Sequence, residues 1–508
     1  MVTEPSMPAS PLPPIVLRAD ATPQMGTGHV MRCLALAQAW RQAGGTALAA
    51  CASVTPSVEA RLGAEGVGVV RLSAGSGSPE DATETLALAA QTGAAWAVVD
   101  GYGFSREYQQ AIARTGLPLL AVDDYGHAGH YWAGLVLNQN LDARDALYLS
   151  REPAARLLLG TAYALVRREF LPWRGLARPA AGTARRVLVT MGGADPGKAT
   201  LRVIEALQQV GLPGIEAKVV VGGSNLCLEA IRQAVLGAGI PSLSLVENSA
   251  DMPGLMAWAD VAVSAAGTTC WELAFMQVPA LLVILAENQR PNAEELARLG
   301  AAVNLGWHAD ATPEAVAVAL RGLLMDAEAR SSMAQAAAGL VDGRGAERLV
   351  ALLAQGAVRT RAATSSDRDL LFGWANDPLT RRMSFRPEPI PWEEHVRWYE
   401  RVLGDPQVLL MVGEAWEAGA WVPVGQVRMD GDGTVSLGLE SHFRGRRLAG
   451  PLLRTGVLVA RARKPGRKLF AHIKHENAAS RHVFEQVGFR FDGRAEVLGQ
   501  ACGRYRYG

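Results

Sequence analysis

The residues with the most evident chemistry stand in one short run, Gly26-Thr27-Gly28-His29-Val30-Met31-Arg32. Glycines let the backbone come close to a ligand, and a helix that begins beyond them favours negative charge at its start. A neutral imidazole on that first turn can accept a proton, which makes His29 a candidate base; a histidine that only begins a helix is the plain alternative. Asp20, Asp100-Gly101-Tyr102-Gly103 and Asp123-Asp124 each follow an apolar stretch that reads as a buried strand. In open parallel sheets the strand C-termini line the ligand crevice. Three acids and Tyr102 are therefore expected to converge near His29, unless one or two of the acids merely cap the next helices.

Further along, Met191-Gly192-Gly193 and Ser264-Ala-Ala-Gly267-Thr268-Thr269 each follow a strand and open a helix. Two such small-residue loops on one domain suit a pyrophosphate held by backbone N–H groups. Glu272, one turn into the second helix, can accept both hydroxyls of a ribose or can be a solvated helix-start acid. The amides of Asn288 and Gln289, just past a buried strand, can reach a sugar or a phosphate.

The last third carries a different set. Arg444-Gly445-Arg446-Arg447-Leu448-Ala449-Gly450 opens a helix after a strand, with small residues and three arginines able to cradle a pyrophosphate. From residue 359 onward there are 24 Lys+Arg against 17 Asp+Glu, whereas the preceding part has 26 against 32. A basic third joined to an acidic remainder points to a separate domain with its own anionic ligand. Nucleic acid is a poor candidate, because no Lys/Arg run is interleaved with aromatics. Trp374, Asn376, Arg381 and His395 can stack on and hydrogen-bond a sugar, although tryptophans are as readily core residues. Glu440, at a strand end, is either the base that deprotonates an incoming ammonium or a solvated loop acid.

The elements that must position these residues follow a clear rhythm. Short apolar strands (Ile15–Leu17, Trp96–Val99, Pro118–Val122, Leu135–Leu137) alternate with Ala/Leu-rich helices, the first over Val30–Gln42 before Gly44-Gly45. Residues Pro172–Arg185 interrupt the pattern, which restarts at Arg186–Thr190 and continues through Ala280–Leu285. This predicts an α/β protein: two Rossmann-like domains, 15–175 and 185–355, after a disordered Pro/Ser-rich lead at 1–14. A mixed α/β domain follows over 359–508.

The 508 residues are 49% hydrophobic and 19% charged, enough to bury large cores. Their 50 Lys+Arg nearly cancel 49 Asp+Glu, which disfavours a polyanion-coating protein. The longest clean apolar run, Pro279–Ala286, is too short to cross a bilayer, and the N-terminus lacks signal-peptide character. Five scattered cysteines without a CxxC pair disfavour zinc and disulfides and fit a reducing cytosol. A cytoplasmic protein with metal-independent chemistry and no membrane partner is expected.

The first 350 residues resemble the UDP-sugar hydrolases of pseudaminic (nonulosonic) acid biosynthesis. The resemblance is carried by Arg18-Ala-Asp20, Gly26 to Cys33, Asp100-Gly-Tyr102-Gly, Leu137-Asn138-Gln-Asn140, Gly160 to Phe170 and Met191-Gly-Gly-Ala-Asp195. It implies a GT-B-type scaffold that releases 2,4-diacetamido-2,4,6-trideoxy-L-altrose from its UDP carrier. On that scaffold His29 would activate water and Tyr102 would lie close to the sugar. Asp20, Gly28, Arg32 and Asn138 would lie about the substrate, Glu272 on the ribose and Asn288-Gln289 near the sugar. Lys198 departs from the family, which more often has an uncharged polar residue there. The layout also looks like the MurG-type GT-B glycosyltransferases.

Arg444 to Ala449 resembles the RxxGxA pyrophosphate loop of GCN5-related N-acetyltransferases (GNAT), and Asn477-Ala-Ala-Ser480 to Phe489 resembles their NxxSxxxYExxGF segment. Acetyl-CoA is then implied as co-substrate, held by Arg444, Gly445, Arg446, Leu448, Ala449, Asn477, Ser480 and Phe484. Arg447 replaces the loop's middle glycine. Phe484 replaces the tyrosine that often protonates the departing thiolate, leaving His482, Tyr505 or water for that role. The segment Trp374 to Trp398 resembles the amino-sugar acetyltransferase of the same pathway. Taken together, the resemblances imply 4-N-acetylation of a UDP-amino-deoxy sugar followed by hydrolysis of the product. A glycosyltransferase joined to an unrelated acetyltransferase is the alternative, and a non-enzymatic nucleotide-sugar sensor is a third.

Overall fold

The computed structural model describes residues 12–176, 178, 182–193, 195, 197–222 and 225–508. Residues 1–11 of the expected lead lie outside the described residues, and Pro14 already begins the first strand. Seven parallel strands form the first sheet: β1 (Pro14–Ala19), β2 (Thr46–Cys51), β3 (Gly68–Arg71), β4 (Trp96–Asp100), β5 (Leu119–Val122), β6 (Leu135–Asn138) and β7 (Arg156–Leu159). Their order is β3-β2-β1-β4-β5-β6-β7. The order reverses beside β1, so the loops after β1 and β4 flank a crevice at the strand C-termini.

The second sheet is also parallel: β8 (Arg186–Thr190), β9 (Glu216–Val221), β10 (Leu243–Glu247), β11 (Val261–Ala265), β12 (Ala280–Ile284) and β13 (Val303–Trp307), in the order β10-β9-β8-β11-β12-β13. It has the same switch point, beside β8. Strand interiors such as Val187–Val189 and Leu281–Ile284 are apolar and buried, as sheets covered by helices on both faces require.

Packing departs from the chain order at one place. The helix Gly345–Gln355 falls within the expected second domain at 185–355, yet Ala346, Leu349, Val350 and Leu353 bury in the first domain's core, and the Trp96 indole donates to the Leu353 carbonyl. Its apolar face fits the side of the Gly28–Gln42 helix, so the chain crosses back before entering the last domain.

That last domain has two antiparallel sheets. One is β14 (Val358–Ala362), β15 (Leu409–Glu417), β16 (Ala420–Met429) and β17 (Val435–Leu439); the other is β18 (Phe470–Lys474), β19 (Phe489–Val497) and β20 (Gln500–Tyr507), ordered β18-β20-β19. An isolated parallel bridge, Thr434 to Phe470, links them. The Ala449–Arg463 helix packs its apolar face between the sheets and the first domain.

No described helix is long and apolar enough to cross a membrane.

Candidate active sites

After β1 and the turn closed by Thr22 and Gly26, Thr27 begins the Gly28–Gln42 helix, which sets His29 on its first turn, beside Asp100 at the end of β4. There the His29 Nδ1 lies 2.7 Å from Asp100 Oδ1. A carboxylate only accepts, so in the neutral ring Nδ1 carries the proton and Nε2 the lone pair. Arg32, one turn along, donates from Nε and Nη2 to Asp100 at 2.6 and 2.7 Å and from Nη1 to Asp124 at 2.7 Å. The guanidinium bridges two carboxylates that would otherwise repel each other. Burial works to raise the Asp124 carboxyl, but Arg32 outweighs it and holds the group far below the usual carboxylate range.

Tyr102 completes this wall. Its hydroxyl donates to Asp124 Oδ2 at 2.7 Å and its ring meets the His29 ring edge-on at 5.0 Å. Burial and then the Asp124 charge push its hydroxyl well above the usual tyrosine range, so it stays protonated. Asn140 steadies Asp124 from behind at 3.2 Å.

The second domain faces this wall across a cleft of about 530 Å³. Gly28, His29, Arg32, Tyr102, Gly192, Gly193, Gly267, Thr268, Glu272, Asn288 and Gln289 all line it. The domains approach closely. A Cβ at Gly193 would stand 2.5 Å from Thr27 Oγ1, so only glycine fits there. Asn288 donates to the Tyr102 hydroxyl at 2.7 Å, Asn292 to Asn140 at 3.3 Å, and Arg167 Nε to Glu272 Oε1 at 2.9 Å. Gln289 accepts from the Leu285 amide at 3.0 Å, which fixes the turn after β12.

Several expectations need correction. Asp20 is only 4% exposed and is taken by Arg18 at 2.9 Å and the Ser53 amide at 2.9 Å, so it turns away from the cleft. Asp123 binds the amides of Tyr125 and Gly126 and shapes its own loop. Asn138 is fully buried, bonded to the Asp124 carbonyl and the Tyr148 hydroxyl. Arg32 lines the cleft, but its guanidinium is committed to two carboxylates, so its part is positioning. Asp195 caps the Ala199–Gln209 helix by accepting from Ala199 and Thr200, which occupies amides expected to face a phosphate. Lys198 is exposed beside it. Arg61 and Asn292 were not anticipated, since neither belongs to a motif; Arg61 lines the cleft and binds Glu169 at 2.8 Å.

In the last domain, the loop after β17 leads into the Ala449–Arg463 helix. Gly445 has φ +76 with open space where a Cβ would be, and Arg447 holds φ +62, the left-handed conformation that glycine adopts without strain. The loop keeps the glycine shape although the residue is arginine. Leu448 and Ala449 begin the helix, and Asn477 caps the Ala478–Val487 helix by accepting from the Ser480 amide. This is the turn expected to hold the pyrophosphate of coenzyme A.

The arginines themselves are largely engaged. Arg444 donates to Asp377 at 2.7 Å, Thr380 and the Leu439 carbonyl; Arg446 pairs with Glu417 and covers the Phe443 ring. Phe484 is 3% exposed and packs on Phe489 in the core. Tyr505 is buried in the same core, while His482 is exposed and bonded to Gln486.

The residues expected to contact the sugar make the following bonds within the domain. Trp374 packs with Leu371, Tyr399 and Val402. Asn376 exchanges two hydrogen bonds with Ile390, and Arg381 donates to Ser384 and the Arg386 carbonyl. His395, 1% exposed, touches the Arg368 carbonyl amid stacked rings, and burial lowers its pKa. Glu440 accepts from the His442 amide and Ser441 hydroxyl; burial opposes these bonds, but together with His442 they hold it below the usual range.

With both sites described, the chain can be set beside known proteins. Residues 192–349 match the glycosyltransferase family 28 C-terminal domain, and residues 358–490 match the acetyltransferase (GNAT) domain. Two Rossmann-like domains in a GT-B-like arrangement are thus followed by a GNAT-like domain. A GNAT domain implies acetyl-CoA as donor. The spore coat polysaccharide biosynthesis protein SpsG of Bacillus subtilis (strain 168) is 32% identical over 172 residues, 33% of this chain and 50% of that protein. Uncharacterized protein MJ1062 of Methanocaldococcus jannaschii is 21% identical over 401 residues, covering 76% of this chain and 77% of its own. The UDP-N-acetylglucosamine–N-acetylmuramyl-(pentapeptide) pyrophosphoryl-undecaprenol N-acetylglucosamine transferase of Halorhodospira halophila is 36% identical over 163 residues, 31% of this chain and 44% of that one. The chain thus spans half of SpsG and less than half of the transferase.

Proposed function

We propose that the protein is a bifunctional nucleotide-sugar enzyme: the last domain acetylates the 4-amine of a UDP-amino-deoxy sugar, and the GT-B half hydrolyses the product, UDP-2,4-diacetamido-2,4,6-trideoxy-β-L-altrose, to free sugar and UDP. The observation that carries the hydrolase reading is the Asp100–His29 pair at 2.7 Å, facing the cleft with Nε2 free to take a proton. A water beside Nε2 gives up that proton while its oxygen bonds to C1 of the sugar. The bond from C1 to the phosphate oxygen breaks and UDP leaves. Arg32 and Asp100 keep the ring oriented, and Tyr102 and Asn288 lie against the sugar side. Gly192, Gly193, Gly267 and Thr268 border the pyrophosphate, and Glu272, fixed by Arg167, takes the ribose. Arg61 also borders this cleft, with its charge paired to Glu65 and Glu169.

In the acetyltransferase the amine attacks the thioester carbon, the C–S bond breaks, and coenzyme A leaves as a thiolate that takes a proton from water. The open turn at Gly445–Ala449 supports the donor site. Glu440 is ionised and takes the amine's proton, although, against burial, the bonds from His442 and Ser441 that lower its pKa also make it a weak base. The polysaccharide-biosynthesis name of SpsG supports a sugar pathway, and the UDP-sugar name of the transferase supports the carrier.

The family 28 match favours a second reading, in which the GT-B half transfers the sugar to an acceptor. Incubation with the UDP-diacetamido-trideoxy sugar and no acceptor separates the two. Release of UDP and free sugar supports hydrolysis; turnover only with an acceptor supports transfer; binding without turnover supports a sensor.

A further inference from the structure

The last domain is docked on the first, not tethered to it. Only Gly356 and Ala357 separate the Gly345–Gln355 helix from β14. Arg114 and Gln110 donate to the Ala462 carbonyl at 3.0 Å each, Arg463 donates to the Arg114 carbonyl at 2.9 Å, and the Thr360 amide to the Gly116 carbonyl at 3.2 Å. Trp421 donates to the Gly93 carbonyl at 2.9 Å. Tyr507 donates to Glu152, which also pairs with Arg461 at 3.2 Å, and accepts from the Ala154 amide.

These first-domain residues share one position in the fold. Gly93 precedes β4, Gly116 precedes β5, and Glu152 and Ala154 precede β7, so the docking face is the N-terminal edge of the sheet. The hydrolase cleft uses residues after strands: Gly28 and His29 after β1, Tyr102 after β4 and Asp124 after β5. Strands of four or five residues put about 13–17 Å of packed sheet between the two faces, before either set of loops is counted. The interface itself holds a cavity of about 30 Å³, lined by Trp96, Trp132, Arg454 and Leu458. A ligand of nucleotide-sugar size occupies several hundred Å³.

We infer that the two sites work through the surrounding solution: the acetylated UDP-sugar is released from the last domain, mixes with the bulk pool, and enters the cleft as a free ligand. This rests on the bifunctional reading above. The fusion then fixes the two activities in equal amounts and does not pass the intermediate by hand.

The test uses the full chain with the UDP-amino sugar, acetyl-labelled acetyl-CoA and a large excess of unlabelled UDP-diacetamido-trideoxy sugar. Release to solution predicts that labelled UDP-sugar accumulates, and that labelled free sugar falls in proportion to the dilution by the unlabelled pool. Labelled free sugar formed at an undiminished rate despite the excess overturns the inference. The unlabelled sugar reports the hydrolase and the labelled UDP-sugar reports the acetyltransferase. Loss of either signal therefore refutes the bifunctional reading itself, and with it this inference.

Discussion

Asn288 of the second domain donates its side-chain amide to the Tyr102 hydroxyl of the first at 2.7 Å, and that hydroxyl in turn donates to Asp124. The bond crosses the cleft within reach of His29, so domain closure and the geometry around the base are linked. Asn288→Ala is expected to raise KM for the UDP-sugar more than it lowers kcat, by about tenfold, the equivalent of one hydrogen bond of about 1.4 kcal/mol. Tyr102→Phe removes both bonds and should lower kcat as well. Steady-state kinetics of the two variants check this split.

His29→Ala should lower sugar release by about 10²–10⁴-fold, the usual contribution of a positioned proton acceptor. UDP affinity should stay near normal by calorimetry. Asp100→Asn, which keeps the shape but releases the ring's tautomer, should lower kcat with little change in KM. Hydrolysis at the normal rate in His29→Ala would exclude it as the base.

Much of this site was legible because it sits in loops after apolar strands, where position follows from the sheet. Asp100, Asp124 and Tyr102 do converge on His29. Asp20 and Asn138 occupy the same kind of position but are drawn into buried networks by Arg18 and Tyr148, partners too remote in sequence to foresee. β2 was not anticipated, because Thr46–Cys51 is alanine-rich and alanine favours helix; burial between β1 and β3 overrides that preference. In the last domain Trp374, His395 and Phe484 were credited with ligand contacts because aromatic side chains look alike in core and in binding sites until packing is known.

Glu272→Ala should weaken UDP by about tenfold or more, the scale of a hydrogen bond to a charged group at about 1.5–3 kcal/mol. Binding of 2′-deoxy-UDP should lose less, because it has only one of the two ribose hydroxyls to lose. Equal losses for both ligands would place Glu272 elsewhere than the ribose.

Glu152 is 1% exposed and is held by Arg461 from the acetyltransferase. Arg461→Met leaves that buried carboxylate short of its cationic partner and should cost about 3 kcal/mol of stability. Denaturant unfolding of the full chain reads the loss. An unchanged midpoint would show that the docking face contributes little.

Asp367 is held down to about 2 by hydrogen bonds from Arg361, with burial opposing and the Thr364 amide assisting. Its folded value lies below its unfolded one, so its stabilisation is complete above about pH 4 and is lost as pH falls towards 2. Asp367→Asn should remove on the order of 1 kcal/mol at neutral pH and flatten the acid limb of the stability curve.

The turn at Gly445 needs φ +76 and room beside it. Gly445→Glu adds a like charge and a strained side chain where a pyrophosphate would lie, and should abolish acetyl-CoA binding while leaving UDP-sugar hydrolysis intact. Binding by the parent should weaken as salt rises. The full chain is the proper material, since Ala154 of the first domain lies in the acetyltransferase core.

The central claim is tested most directly by incubating the protein with UDP-2,4-diacetamido-2,4,6-trideoxy-β-L-altrose in ¹⁸O-labelled water without an acceptor, and reading both products by mass spectrometry. Hydrolysis with His29 activating water predicts UDP without label and free sugar carrying ¹⁸O at C1. Release that requires an added acceptor, or label found in UDP instead of the sugar, would contradict it.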